Sequence, residues 1–348
     1  MENTQNKRIV VIGAGIVGAS LAYHLAEKGA KVSLVEAQEI ASGVTATSFA
    51  WINANHPGPD PIAPLRSAAI TEYHRLETQL PGLQIRWTGA LSYSGLLPAP
   101  TGRVSRSQIL DLEPNLKHPP QYATYVAEEG ALDAVAATHV LIAGARAHGA
   151  TVLTQTPVLG FTTEVGQVTG VKTPKGIIKA DLVVLAAGTG TVKLADMLQL
   201  SLPITASPSI FIRYKPQPRL VHTLISSPDM EVRQSADGTL LAAEDYLDDA
   251  LENQPGAIAL RTAKAIHNEL KGVVALEPQL ACVGLRPIPA DGIPIIGYLP
   301  KVRGVYVCAM HPGVALAAVV GRLASEEMID GKESDALGAC RPDRFFQE

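Results

Sequence analysis

Cysteine is scarce: Cys282, Cys308 and Cys340 are the only three in 348 residues, and they form no C-x-x-C pair. A disulfide-stapled scaffold and a structural zinc site are thereby excluded. No metal is expected, and a reducing compartment, the cytoplasm, is the expected location. Aromatic residues make up only 5%, which argues against a base-stacking surface. There is no basic block: Lys+Arg 29 against Asp+Glu 33 gives a formal charge of −4, so no nucleic-acid or anionic-membrane footprint is expected. Long apolar runs are also missing. The uncharged stretches Ile9 to Ala26 and Gly304 to Gly321 are marginal against the roughly 20 apolar residues a bilayer needs. Each is broken by turn chemistry, Gly13-Ala14-Gly15 in the first and His311-Pro312-Gly313 in the second. A strand, a tight turn and a helix is the expectation for both, with no transmembrane segment. Lys7-Arg8 is followed by no A-x-A-like cleavage site, so no signal peptide is expected. What the chain has in quantity is apolar material, 47%, enough for a large core and incompatible with disorder.

The first thirty-six residues carry the strongest signal. Arg8 to Ile12 (RIVVI) is a short β-branched run, as in a strand buried on both faces. Gly13-Ala14-Gly15-Ile16-Val17-Gly18 follows as G-x-G-x-x-G, and helix-spaced Val17, Leu21 and Leu25 run to a stop at Gly29. Lys31 to Val35 is a second strand ending at Glu36. In such a unit Gly13 permits the turn, Gly15 admits a pyrophosphate to the backbone, and Gly18 lets helix and strand pack closely. The helix N-terminus faces the phosphate charge. Glu36 is placed to accept hydrogen bonds from a ribose diol, and an acid there disfavours a 2′-phosphate. The motif gains weight from its strand–turn–helix setting and the acid about 20 residues on, but it does not by itself separate NAD from FAD.

Downstream, Ala41 to Pro57 is rich in small and hydroxylated residues that offer donors to phosphates. Helices are expected at Leu65 to Leu80, Val104 to Pro114 (capped at Ser105), Asp133 to His148, Ala257 to Leu270 and Val314 to Ile329. Strands are expected at Ile85 to Tyr93, Asp181 to Ala187 and Gly304 to Ala309, with a meander over Val158 to Val171 and an antiparallel block in 205–285. The second half of the nucleotide sheet is scattered along the chain. The expected fold class is α/β, a Rossmann-type FAD-binding domain (1–85, 140–204 and 286–348) interwoven with a mainly antiparallel α+β substrate domain (86–139 and 205–285).

The blocks VVIGAGIVGASLAYHLAEKGAKVSLVE, EEGALDAVAATHVLIAGARAHGATVL, DLVVLAAGTGT, GLRPIPADGIPIIG and GVYVCAMHPGVALAAVVGRLA occur in this order along the chain. Together they resemble the D-amino-acid oxidase superfamily of FAD-dependent flavoproteins, particularly its glycine oxidase and sarcosine oxidase branch. The resemblance implies FAD, held by Gly13, Ala14, Gly15, Ile16, Val17, Gly18, Glu36 and Ala37. It adds Ser42, Gly43, Thr45, Ala46 and Thr47 of the following loop, and Val158, Ala187 and Gly188 farther on. The turn His311-Pro312-Gly313-Val314-Ala315 would aim backbone N–H groups at the pyrimidine edge of the flavin. Arg286, in GLRP, would clamp a substrate carboxylate, for which its planar fork of donors is suited. Tyr246 would face the substrate as a catalytic or binding hydroxyl. Cys282, four residues before Arg286, does not align with the cysteine that attaches flavin in some relatives, so noncovalent FAD is expected.

The chain departs from the family at several points. Val314-Ala315-Leu316 replaces further glycines, and a second basic residue of some glycine oxidases is absent from this loop, which speaks against glycine as substrate. Ile204 to Ile212 lacks the family's usual glycine, and Ser48 to Asn55 is bulkier than usual, so Trp51 and His56 are candidates to wall the substrate side. The reaction implied is oxidation of a small amino acid or N-alkyl amino acid. A neutral amine gives hydride from its α-carbon to flavin N5, and the resulting imine hydrolyses. Oxygen as acceptor would yield hydrogen peroxide; a quinone or other carrier would make the enzyme a dehydrogenase. A flavin-holding subunit inactive without a partner is a further alternative, a nicotinamide-dependent reductase would share only the first unit, and homo-oligomerisation is left open.

Overall fold

β1 (Arg8–Ile12), α1 (Ile16–Glu27) and β2 (Lys31–Val35) form a parallel unit, with Ile12 paired to Val35. This is a computed structural model of the chain, and it describes residues 6–54, 60–94 and 101–346. The chain continues through β3 (Trp51–Ile52), α2 (Ala63–Gln79), β4 (Ile85–Arg86), β5 (Ala90–Ser92) and β6 (Arg103–Ser105). Then come α3 (Arg106–Leu112), β7 (Tyr122–Val126), β8 (Gly130–Leu132), α4 (Ala134–Ala147) and β9 (Thr151–Leu153). A meander of β10 (Gly160–Glu164), β11 (Gln167–Thr173) and β12 (Gly176–Lys179) precedes β13 (Leu182–Leu185) and α5 (Thr191–Asp196). The long β14 (Ile204–Tyr214) leads to β15 (Leu224–Ser226), β16 (Glu231–Gln234), β17 (Leu240–Asp245) and α6 (Pro255–Glu269). The last elements are β18 (Pro278–Pro289), β19 (Ile295–Tyr298), β20 (Val305–Ala309) and α7 (Gly313–Asp330).

Two large sheets organise the molecule. The first has the order β19-β20-β13-β1-β2-β9, parallel except for β19 at its edge. The strands that follow β1 lie on opposite sides of it, β2 and β9 on one and β13 and β20 on the other. The carboxyl ends of β1 and β13 therefore open a crevice at a topological switch point, where ligands bind in open α/β sheets. The second sheet, β18-β14-β17-β16-β15-β5-β7-β6, is antiparallel except for the β5–β15 pair. Its far face packs on α6 through buried Ile210, Ile212, Ala242, Ile258 and Ile266.

Both uncharged stretches are strand–turn–helix units, β1–α1 and β20–α7, and among the described residues no helix is long and apolar enough to cross a membrane. Their two helices pack on one another. Ser20 Oγ donates to Ala317 O at 2.7 Å, and a Cβ on Gly321 would lie 2.2 Å from Ser20 Oγ, so the contact requires glycine. On the other side of α1, Gly144 of α4 lies against Tyr23, where a Cβ would come within 2.9 Å of the ring.

Local signals that name a specific partner hold. Ser105 and Gln108 form a capping box on α3, and Asp133 caps α4 at the N–H groups of Val135 and Ala136. Two expectations need correction. Ile85 to Tyr93 is not one strand but β4 and β5, in different sheets. The break falls at Gly89, whose φ is +72° and whose Cβ position is filled by the Tyr125 ring. The expected domain limits at 85/86, 139/140, 204/205 and 285/286 all fall inside continuous elements, β4, α4, β14 and β18.

Candidate active site

A cavity of about 860 Å³ runs from the carboxyl ends of β1 and β2 to the inner face of the second sheet. At one end Gly13 turns the chain with φ +105°, and a Cβ there would lie 2.5 Å from Ala186 O at the end of β13. A Cβ on Gly18 would lie 1.9 Å from Gly13 O, so α1 rests directly on the turn. Gly15 is different: its Cβ position meets only Thr45 Oγ1, at 3.1 Å, and it borders the cavity. It is the residue that leaves room for a ligand at the backbone. Gly15 is the N-cap of α1 and provides no side-chain cap, so the positive end of the helix faces the cavity. Glu36 is held by Ala14 N–H (2.8 Å to Oε2) and Gln38 N–H (2.9 Å to Oε1), with its carboxylate at the cavity wall.

A second helix start faces the same space. Pro312 is the N-cap of α7, and His311 through Ala315 line the cavity beside Val17. The Tyr73 hydroxyl, fully buried on α2, donates to Val314 O and ties the first turn of α7 down. Two helix N-termini, an acid at the end of the second strand and an open glycine suit a dinucleotide with two phosphates and a ribose diol. This donor set fits FAD.

Of the expected cofactor contacts, Gly13, Gly15, Ile16, Val17, Glu36, Ala37, Ser42, Gly43, Thr45, Thr47, Val158, Ala187, Gly188 and the whole His311 turn border the cavity. Ala14, Gly18 and Ala46 do not. Ala14 is buried with its N–H on Glu36, Gly18 is the helix–strand contact, and Ala46 N–H closes a turn on Gly43 O. Lys193 on α5 and Thr189 also line the cavity and were not foreseen. The signal available for them was the Gly188-Thr189-Gly190 turn that closes β13.

At the other end, pairing across the second sheet decides what faces the cavity. Arg286 is opposite Ser207, Gly284 opposite Ser209, Ser209 opposite Asp245, Phe211 opposite Ala243, and Ala243 opposite Glu231. Directly paired residues share a face, and Arg286, Ser209, Phe211, Asp245 and Glu231 all line the cavity. A Cβ on Gly284 would lie 2.4 Å from Thr47 Oγ1, so β18 crosses close to the 44–47 turn and brings Arg286 to the cofactor loop. Nη2 of Arg286 donates to Ser207 Oγ and Pro208 O, both at 3.2 Å, and its buried Nε has no partner. Among the described residues Arg286 forms no ion pair. Asp291, the nearby acid in sequence, pairs with Arg344 at 2.7 Å instead.

Tyr246 is a correction. β17 stops at Asp245, and Tyr246 turns away: its hydroxyl donates to Asp249, and its ring packs on the α6 side of the sheet. Asp245 takes the cavity position. Trp51 does line the cavity, with its indole N–H fixed on Glu129 at 2.8 Å. His56 lies outside the described residues.

The electrostatics follow from these neighbours. Burial, reinforced by the charges of Arg286 and Arg66, pushes His311 down to about 4, so its imidazole is neutral at pH 7. Burial also pushes Glu231 up to about 7, reinforced by Asp245 and Glu244 and opposed by a Ser226 hydrogen bond and the Arg286 charge. Glu244 accepts a hydrogen bond from Thr262 of α6 at 2.7 Å. No metal-holding cluster of His, Cys, Asp or Glu occurs among the described residues.

Comparison with known proteins agrees with the geometry. The family model described as FAD dependent oxidoreductase matches residues 8–327. A glycine oxidase of Pseudomonas aeruginosa is 25% identical, with 94% of this chain and 96% of that protein covered. An opine oxidase subunit of Agrobacterium tumefaciens is also 25% identical, over 98% of each chain. The crystal structure of L-proline dehydrogenase from P. horikoshii superposes with a TM-score of 0.87 at 22% identity, covering 98% of both chains, and shares the fold. The chain belongs to the FAD dependent oxidoreductase family, the D-amino-acid oxidase superfamily, and FAD is its cofactor.

Proposed function

We propose that the enzyme oxidises a small amino acid or N-alkyl amino acid at its α C–H and passes the electrons to oxygen, giving hydrogen peroxide. The observation that carries this reading is Arg286, a cavity-lining guanidinium whose acceptors among the described residues are the neutral Ser207 Oγ and Pro208 O. A substrate carboxylate supplies the missing anion and satisfies the orphaned donor. The names of the glycine and opine oxidase relatives support the amine class. FAD, bound noncovalently, supplies the two-electron acceptor.

The residues of the chain orient the reactants and shield them. Arg286 fixes one end of the substrate, so that its α-carbon is presented in a limited set of orientations. Phe211 and Trp51 wall the space with apolar surface. His311, neutral at pH 7, adds no positive charge that would oppose binding of an amine. The imine leaves and hydrolyses to an oxo acid, or to an aldehyde where an N-alkyl carbon is oxidised.

The test is an anaerobic screen of flavin bleaching over glycine, sarcosine, proline and both enantiomers of the common amino acids, followed by admission of air. Bleaching by an amino acid with reoxidation in seconds or less supports the proposal. Absence of bleaching by any of them refutes the substrate class, and reoxidation over minutes refutes oxygen as the acceptor.

A further inference from the structure

Two buried charges stand behind the wall of the cavity. Arg233 of β16 is 5% exposed, and Glu129, directly before β8, is 1% exposed; neither borders the cavity. Both bind the same short segment, Phe49 to Ala54. Arg233 Nε donates to Phe49 O at 2.6 Å, and its Nη2 donates at 3.0 Å to Leu132 O of β8, the strand that pairs with Trp51. Its guanidinium also lies over the Phe49 ring, 5.4 Å from the centroid. Glu129 accepts the indole N–H of Trp51 and the backbone N–H of Ala54, each at 2.8 Å. The segment is thus held at its start, at its central side chain and at its end, by charge-assisted bonds that are stronger than neutral ones.

What is held is not a relaxed conformation. Ala50, between the two aromatic residues, has φ +58°, in the left-handed region that a Cβ disfavours. A non-glycine residue persists there only where its surroundings over-determine it, and such positions cluster at ligand-contacting sites. Phe49, Ala50 and Trp51 all border the cavity, and the two rings pack on Ala90 and Leu224, a cross-strand pair of the second sheet. This places them at the substrate sheet, beside Ser226 of the same strand β15, which also lines the cavity. Apolar residues of similar volume would fill the space behind the segment at no greater cost than buried charges. What they lack is direction: only hydrogen bonds fix Trp51 in one orientation. We propose that Arg233 and Glu129 are positioning residues that hold Phe49 and Trp51 as an unyielding wall, so that the enzyme selects amino acids by side-chain length. This rests on the amino-acid reading of the same site. A wall free to shift would accommodate added methylenes, whereas a fixed one rejects them by overlap.

The test is anaerobic flavin reduction of the purified holoenzyme by the series glycine, alanine, 2-aminobutyrate, norvaline and norleucine, in the enantiomer that bleaches the flavin. The wild-type enzyme should lose reactivity steeply at one point of the series, by about 10-fold or more for one added methylene. Glu129→Gln keeps the volume and exchanges one acceptor for a donor. It should remove about 10-fold of this step, with little change for the substrates shorter than the step. Arg233→Lys, which keeps the charge and loses the fork, should remove part of it. In a Trp87→Phe background, where Trp51 is the only tryptophan, Glu129→Gln should also lower the fluorescence anisotropy of Trp51. A wild-type series without a step overturns the inference. So does a step that persists in Glu129→Gln while every substrate is slowed by the same factor, which is the outcome of a merely structural role. If Glu129→Gln fails to fold, Arg233→Lys and the wild-type series still decide. Bleaching by amino acids without a length step defeats this inference alone. Failure of every amino acid and N-alkyl amino acid to bleach the flavin defeats the underlying reading as well.

Discussion

Replacing Arg286 by alanine tests the centre of the proposed mechanism. Within the protein the side chain makes two hydrogen bonds to neutral acceptors, at 3.2 Å each, and no ion pair among the described residues. Its removal should therefore reduce stability by only about 1–3 kcal/mol. FAD should remain bound, because the cofactor is assigned to the Gly13–Gly18 turn, Glu36 and the α7 N-terminus, which Arg286→Ala leaves in place. Catalysis should suffer far more. Truncating one partner of a buried, hydrogen-bonded charge pair costs about 2–5 kcal/mol. At about 1.4 kcal/mol per tenfold, kcat/KM should fall roughly 30-fold to several-thousand-fold. Arg286→Lys should recover part of this, since an ammonium keeps the charge and loses the fork. The assay is anaerobic stopped-flow flavin reduction by an amino acid and by the corresponding amine without its carboxylate, with flavin content measured on the same preparations. The amine should be slowed far less. Loss of FAD from Arg286→Ala, or equal slowing of acid and amine, would refute the clamp and make the residue structural.

Other consequences follow from the packing. Gly18→Ala places a Cβ 1.9 Å from Gly13 O, so α1 must move off the turn; flavin content and the melting temperature should both fall, and a fully loaded, equally stable variant would contradict the close contact. Glu72, 5% exposed, accepts hydrogen bonds from Arg75 and Arg322, and burial is outweighed by these and His24, so that its carboxyl is held down at about 2. Its contribution is present above the ordinary carboxylate range and is lost as pH falls toward 2. Glu72→Gln should cost about 3–5 kcal/mol near neutrality, measured by the denaturant midpoint, and an unchanged midpoint would count against the network. Glu231 behaves oppositely. Its folded-state pKa, about 7, lies above the unfolded value, so its contribution is full below about 4.5 and is lost as pH rises through 7. The melting temperature of Glu231→Gln relative to wild type should therefore rise between pH 5 and pH 8, and a pH-independent difference would show that Glu231 is not protonated in the fold.

The nucleotide half of the molecule was legible in the sequence because its determinants are local. A glycine turn, a helix starting at it and an acid ending the next strand lie within Gly13 to Glu36. The same holds for the His311 turn and α7, and for the caps at Ser105 and Asp133, where residue type specifies backbone conformation a few positions away. The resemblance in GLRP also pointed to Arg286. The substrate half is a product of strand pairing between distant segments. Glu231 has no motif around it, and it shares a face with Arg286 only because β18, β14, β17 and β16 adopt one register, which brings together residues 55 positions apart. A one-residue slip would send each of these side chains to the α6 side. The same alternation explains Tyr246: the resemblance put a tyrosine at the cavity, but the strand ends at Asp245, and only the tertiary structure determines which neighbour turns inward. Sequence alone determined the cofactor and pointed to Arg286; the fold decided which acids share its face of the sheet, because the sharing of a face depends on register, and register is set by packing that no short stretch of sequence contains.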